Sequence, residues 1–356
     1  MCTENMHGGN IWAAARRYNR KPENFIDFSA NINPLGPSPL ALEAMRKGIS
    51  LVQHYPDPDA RDLKIKLSRY LEVPGENLLL GNGGAEIIYA LGRALNPRRL
   101  VLPVPTFSEY RQALPRVPVK FIPLPAGSDF ALPVDQIKRI MQPGDAVFIC
   151  NPNNPTGYLV SRGELLPLAQ RAFETGAALV VDEAFMDFTG RKETILPDVL
   201  SCCSAAVVGS LTKFFALPGL RLGYLTAEKT LVEKVSRQLP PWRVNTLAQL
   251  AAQASLEDRS YISKTLKLIS KEKEFLYQGL AGVPGLHPYP PRANFILVNC
   301  SGTGKTAKEI RDRLAEKNIL IRVADNFIGL DHCYFRVAVR REKENRLLLK
   351  ALNEIV

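Results

Sequence analysis

The chain has 356 residues, 46% of them hydrophobic, and its 46 Lys+Arg against 35 Asp+Glu give a net charge of +11. That length and apolar content suit a globular protein with a large core and room for two domains, which excludes a disordered or fibrous chain. Its cations are spread without a block of five like charges, and no apolar run approaches the roughly 18 residues of a membrane span; nucleic acid and membrane are therefore excluded as partners, and a small acidic ligand remains.

The opening MCTENMHGGN lacks the charged flank and apolar centre of a signal peptide, which points to the cytoplasm. Six cysteines, Cys2, Cys150, Cys202, Cys203, Cys300 and Cys333, stand in or beside apolar runs without CxxC or paired Cys/His spacing. They read as free thiols in a reducing compartment, with no zinc site.

In chain order, HGGN (7–10) precedes a predicted helix around Trp12 to Tyr18. FIDFSANINPLGPSP (25–39) is rich in Asn, Pro and Gly and reads as an ordered loop. HYPDPDA (54–60) leads into a helix with Leu63, Leu67 and Leu71 on one face. From Leu78 the pattern changes to continuous apolar runs alternating with helical segments: ENLLLGN, RRLVLPV, VKFIPL, DAVFICN, ALVVDEA, AAVVGS and GYLTA. Continuous rather than alternating runs indicate strands covered on both faces, so these seven predict a mostly parallel sheet flanked by helices. KTLVEKVSRQLP is helical, Pro240 and Pro241 interrupt it, and one long amphipathic stretch is expected from Thr246 to Leu280. An α+β lobe closes the chain, with ANFILVNC, ILIRVADN and CYFRVAVR as strands and TAKEIRDRLAEKN as a helix. The expected division is a large domain over 46–255 and a small one from 1–45 with 256–356.

The chemistry centres on SLTKFFALPGLRLGY (210–224). Lys213 stands three residues after Ser210, which closes an apolar run, and eight before Arg221. That spacing suits an amine that forms a Schiff base while a hydroxyl and a guanidinium hold a phosphate, and the cofactor it implies is pyridoxal 5'-phosphate (PLP). GNGGAE (81–86) is a glycine turn before a helix, whose Gly83, Gly84 and Ala85 offer N–H groups to an anion. It lacks the third glycine of a dinucleotide fingerprint, Glu86 standing there, and SGTGKT fails the phosphate-loop pattern because Asn299 occupies the first glycine position.

Together with NPNNPTG (151–157) and VVDEAF (180–185), these segments closely resemble the fold-type I PLP-dependent aminotransferase superfamily of class I and II, which includes histidinol-phosphate aminotransferases. The resemblance implies that Lys213 carries the cofactor and returns a proton to the substrate, and that Asp182 pairs with the ring nitrogen. It implies further that Asn154 donates to the phenolic oxygen, Phe107 stacks on the ring, and Ser210 and Arg221 complete the phosphate cradle. Tyr55 of the YPD segment would reach the phosphate in the other subunit of a homodimer. Many relatives have tyrosine where this chain has Phe185. The pattern HGGN, SANINPLG, RANFIL and ILIR is similar to the threonine-phosphate decarboxylase family of the cobalamin pathway. This implies a phosphorylated amino-acid substrate, L-threonine O-3-phosphate, decarboxylated to (R)-1-amino-2-propanol O-2-phosphate. On that resemblance Arg336 binds the α-carboxylate and Arg322, His7, Gly8, Asn10, Asn31 and Asn154 line the rest of the substrate site. A phospho-amino acid aminotransferase such as the histidinol-phosphate enzyme is the alternative.

Overall fold

Residues 8–200 and 204–356 of the computed structural model are described; His7, Cys2, Cys202 and Cys203 lie outside them. Thirteen strands are present among these residues. In chain order they are β1 (Ile26–Asp27), β2 (Leu78–Gly81), β3 (Arg99–Val104), β4 (Val119–Pro123), β5 (Asp145–Cys150), β6 (Ala178–Asp182), β7 (Ala205–Ser210), β8 (Gly223–Ala227), β9 (His287–Pro288), β10 (Phe295–Asn299), β11 (Ile319–Leu320), β12 (Arg322–Val323) and β13 (Tyr334–Ala338).

All seven apolar runs enter one seven-stranded sheet of order β2-β8-β7-β6-β5-β3-β4, in which only β8 runs against its neighbours. Every residue of β5 and β7 is buried, the cause of their unbroken apolarity. Apolar side chains fill both faces: Val147, Ile149 and Val181 pack into one core, Phe148, Val180 and Val208 into the other. A four-stranded sheet, β12-β13-β10-β9, and the parallel pair β1-β11 make up the rest. Among the described residues no helix is long and apolar enough to cross a membrane.

Two expectations are corrected. The stretch from Thr246 to Leu280 is two helices, Thr246–Glu257 and Arg259–Ala281, broken at Asp258. Asp258 leaves helical geometry because its carboxylate takes a hydrogen bond from the Tyr261 N–H at 2.9 Å, capping the second helix, and another from Ser38 Oγ at 2.6 Å. ILIRVADN is not one strand either: Ile319–Leu320 pairs with β1 and Arg322–Val323 with β13, so the segment switches sheets at Ile321.

Helices Pro39–Gly48 and Glu342–Ile355 were absent from the sequence reading. The first is capped by Ser38, whose Oγ accepts from the Leu40 N–H at 3.2 Å, ahead of a proline at the first helical position. The loop before it is ordered as expected. Asn33 donates its backbone N–H to the Lys213 carbonyl at 3.1 Å and its amide to the Phe214 carbonyl at 2.8 Å, tying the loop to the lysine segment.

Candidate active site

Because β5, β6 and β7 run parallel, their carboxyl ends emerge on one edge of the sheet. Register sets Cys150, Asp182 and Val208 in one row across those strands, and Gly81, Gly223 and Ser210 in another across β2, β8 and β7. Just beyond these ends lies a cavity of about 130 Å³. It is lined by Gly84, Ala85, Phe107, Asn154, Asp182, Phe185, Ser210, Lys213 and Arg221, with Thr212 and Cys150. Residues spread over more than 130 positions of sequence therefore share one chamber. Gly83, next to the lining Gly84, has φ +91°, and a Cβ there would come within 2.7 Å of the Arg221 guanidinium. Only glycine serves that approach.

Lys213 Nζ donates to Thr212 Oγ1 at 3.2 Å, and Thr212 Oγ1 lies 2.7 Å from Ser210 Oγ. Burial is the main cause that brings the Lys213 ammonium down to about 8; the positive charges of Arg221 and Arg336 push the same way, and Asp182 opposes them. Burial also raises Asp182, against hydrogen bonds that favour its charged form. These come from Tyr110 Oη to Oδ2 at 2.7 Å and from the Ala184 N–H to Oδ1 at 2.9 Å. Phe185 presents no hydroxyl to the cavity and packs edge-on against Phe295 at 4.9 Å.

Arg336 is buried, donating to Asn154 Oδ1 and, at 2.8 Å, to the Ser29 carbonyl, while its Nε has no hydrogen-bond partner. Burial first, and then the charge of Arg322, lower it to about 9. On its far side a second cavity of about 440 Å³ is lined by Gly8, Asn10, Ser29 and Arg322, together with Arg17, Lys308 and Arg311. Arg322 and Arg336 are direct cross-strand partners on β12 and β13. Asn154 and Arg336 thus bridge the two chambers. Gly8 is tight against Ser29, whose carbonyl oxygen would lie 2.1 Å from any Cβ, so Gly8 packs on the acceptor that Arg336 uses.

Four expected residues line neither cavity: Gly83, beside the lining Gly84; Arg336, bonded to Asn154 in one wall and Ser29 in the other; Asn31; and Tyr55. Asn31 is buried with an unpartnered Oδ1 but lines neither. Tyr55 is 81% exposed and packs on Trp242, ring centroids 4.8 Å apart. Thr212 and Tyr110 escaped the sequence reading, although Thr212 directly precedes the lysine and Tyr110 stands three residues after Phe107. Among the described residues the one group of three metal-ligating side chains is Asp331, His332 and Cys333, with ligand atoms within 4.8 Å of one another. They are consecutive in a turn, and the Asp331 carboxylate accepts from the Cys333 N–H at 2.8 Å. A search for paired Cys/His spacing passes over such a group.

The chain belongs to the aminotransferase class I and II family, which matches residues 23–352, and it has the fold-type I architecture of that family. Among its relatives, the threonine-phosphate decarboxylase of Salmonella typhimurium is 37% identical over 354 residues, which is 98% of this chain and 96% of the relative. The crystal structure of the histidinol-phosphate aminotransferase from Clostridium acetobutylicum superposes with a TM-score of 0.86 at 31% identity, covering 92% of this chain and 98% of that one. The structure of L-threonine-O-3-phosphate decarboxylase from Porphyromonas gingivalis gives 0.82 at 28%, with the same coverages.

Proposed function

We propose that the protein is a PLP-dependent carboxy-lyase that converts L-threonine O-3-phosphate to (R)-1-amino-2-propanol O-2-phosphate in cobalamin biosynthesis. One observation carries the reading of the substrate. A buried guanidinium with an unpartnered Nε, Arg336, stands between a chamber holding the lysine and a second chamber holding Arg322, Gly8 and Asn10. Two cationic stations suit a molecule with two anionic ends. The similarity to threonine-phosphate decarboxylases, at 37% identity over nearly all of the chain, selects the reaction.

PLP fits the smaller cavity by its donor set. Helix Gly84–Leu95 begins at the wall with no side-chain cap, so its first N–H groups and dipole suit the phosphate, beside Ser210, Thr212 and Arg221. Asp182, buried and with no ion pair among the described residues, suits a protonated ring nitrogen. Phe107 supplies the stacking face, and Asn154, its Oδ1 taken by Arg336, has its amide N–H groups to offer the phenolic oxygen. When bound, PLP supplies an electron sink for the substrate carbon.

Everything else falls to the chain. Lys213 would hold PLP through its amine and would supply the proton that replaces the lost carboxylate. Arg336 and Arg322 would hold the two ends of the substrate and so orient the bonds at its α-carbon, which would decide between loss of CO2 and loss of a proton. Phe185 leaves the phenolic oxygen with one donor fewer than a tyrosine would supply.

The assay is direct: protein with PLP and L-threonine O-3-phosphate should release CO2 without an oxo acid. Conversion of 2-oxoglutarate to glutamate without CO2 would instead establish the aminotransferase reading that the Clostridium structure supports. A pH profile tests the lysine. Only the neutral amine attacks an aldehyde, so the rate at which apoprotein captures PLP should rise with pH and level off above about 8, well short of an ordinary lysine. A rate still climbing at pH 10 would contradict the buried setting of Lys213.

A cytoplasmic homodimer completes the proposal, with a large unit over 46–255 and a small one from 1–45 and 256–356. Ile49, Val52, Tyr55 and Trp242 all expose large apolar surface, Tyr55 packs on Trp242, and Tyr55 lines neither cavity of its own chain. Sedimentation should give twice the chain mass, and Tyr55→Phe should weaken PLP binding. A monomer that binds PLP with full affinity would refute the shared site.

A further inference from the structure

We infer that Tyr110, which lines neither cavity, is a positioning residue that holds the Asp182 carboxylate in register with the PLP ring nitrogen and braces Phe107 at the ring face. The inference rests on the reading of Asp182 given above. Tyr110 is fully buried on the short helix Glu109–Ala113, and its hydroxyl donates to Asp182 Oδ2 at 2.7 Å. Its ring meets Phe107 edge-on at 5.7 Å and Phe148 at 5.3 Å. One side chain therefore touches both a polar and an apolar wall of the cofactor chamber.

The charge balance explains why a phenol belongs there. Each Asp182 oxygen accepts one protein hydrogen bond, Oδ1 from the Ala184 N–H and Oδ2 from Tyr110, and together they fix the plane of the carboxylate. Without the phenol, burial would act on Asp182 with one donor fewer, and the carboxyl would hold a proton to higher pH. A neutral acid is a poor partner for a pyridinium. Burial and the adjacent Asp182 hold the Tyr110 phenol well above its ordinary range, so it stays protonated and donates throughout the working pH. Tyr110 lines neither cavity and would reach the cofactor only through Asp182 and Phe107, so its effect should fall on the electronics of the ring and leave substrate binding intact.

Tyr110→Phe keeps the ring contacts and deletes the donor. Expected is about a tenfold loss of PLP affinity and a 10- to 100-fold fall in kcat with KM unchanged. In the apoprotein, infrared difference spectra against Asp182→Asn should show the Asp182 carboxyl titrating at higher pH. In the Asp182→Asn background Tyr110→Phe should cost nothing further. A ring-fluorinated tyrosine at position 110 keeps both shape and donor and should retain full PLP affinity, which covers the case in which Tyr110→Phe fails to fold. Unchanged affinity and kcat in Tyr110→Phe, or an equal loss in the Asp182→Asn background, would overturn the inference while leaving the role of Asp182 intact. Full activity of Asp182→Asn alone would instead overturn the reading of Asp182.

Discussion

Lys213→Ala should lose at least about 1000-fold in turnover, with the fold unchanged. On the proposed reading the amine is the covalent nucleophile and the proton carrier in one, and its setting suits both. Burial against Thr212 Oγ1 at 3.2 Å, with Arg221 and Arg336 nearby, leaves it half neutral at about pH 8 and largely neutral above that. No neighbour duplicates it: the other polar groups at the wall are Cys150, Asn154, Asp182, Ser210, Thr212 and Arg221, none of them an amine. The variant should still bind PLP through Arg221 and the helix N-terminus, and an added small primary amine should restore part of the CO2 release. Turnover within tenfold of the parent would remove Lys213 from the mechanism.

Arg336→Met should separate stability from activity. A guanidinium whose folded pKa is drawn down toward 9 resists carrying its charge there. The cost is present below that pH and is relieved as pH rises from about 9 toward the unfolded value, where only the unfolded chain still holds the proton. Replacing buried charges with apolar side chains gains about 1–4 kcal/mol. Against this stand the lost hydrogen bonds to Ser29 O and Asn154 Oδ1, worth about 1 kcal/mol each. The apoprotein should therefore melt at the parent temperature or slightly above it. Activity should move the other way, since removing one member of a buried charged pair costs about 2–5 kcal/mol, roughly 30- to several thousand-fold in kcat/KM. Arg336→Lys should recover little of this, because an ammonium lacks the forked donors. A destabilised Arg336→Met apoprotein would mean that the charge is compensated inside the fold and that its role is structural.

The large sheet was legible because its strands are buried on both faces, a condition that leaves the same local mark on all seven runs. Lys213, Asp182, Asn154, Ser210 and Arg221 were legible because each stands at a strand end or turn with a characteristic spacing. Tyr110 was not. Within VPTFSEY it is one aromatic among others, and nothing nearby in sequence announces a carboxylate 72 positions away. Asn33 is similar, since its partners Lys213 and Phe214 come from another part of the chain. The break at Asp258 carries a local capping signal, but the apolar period runs through it, and Ser38 supplies the second bond from outside.

What the amino-acid sequence determined by itself is the set of elements and the kind of chemistry. Strand burial, glycine turns and the Ser-Lys-Arg spacing are written in neighbouring residues and follow from short-range sterics and hydration. What only the tertiary structure decided is which of these meet. Sheet order and register brought Gly81, Gly223 and Ser210 into line, set Asp182 beneath Tyr110, and joined two chambers through Arg336. Those contacts depend on closing loops of many tens of residues around a shared core, a cooperative choice to which no single stretch of the chain holds the key.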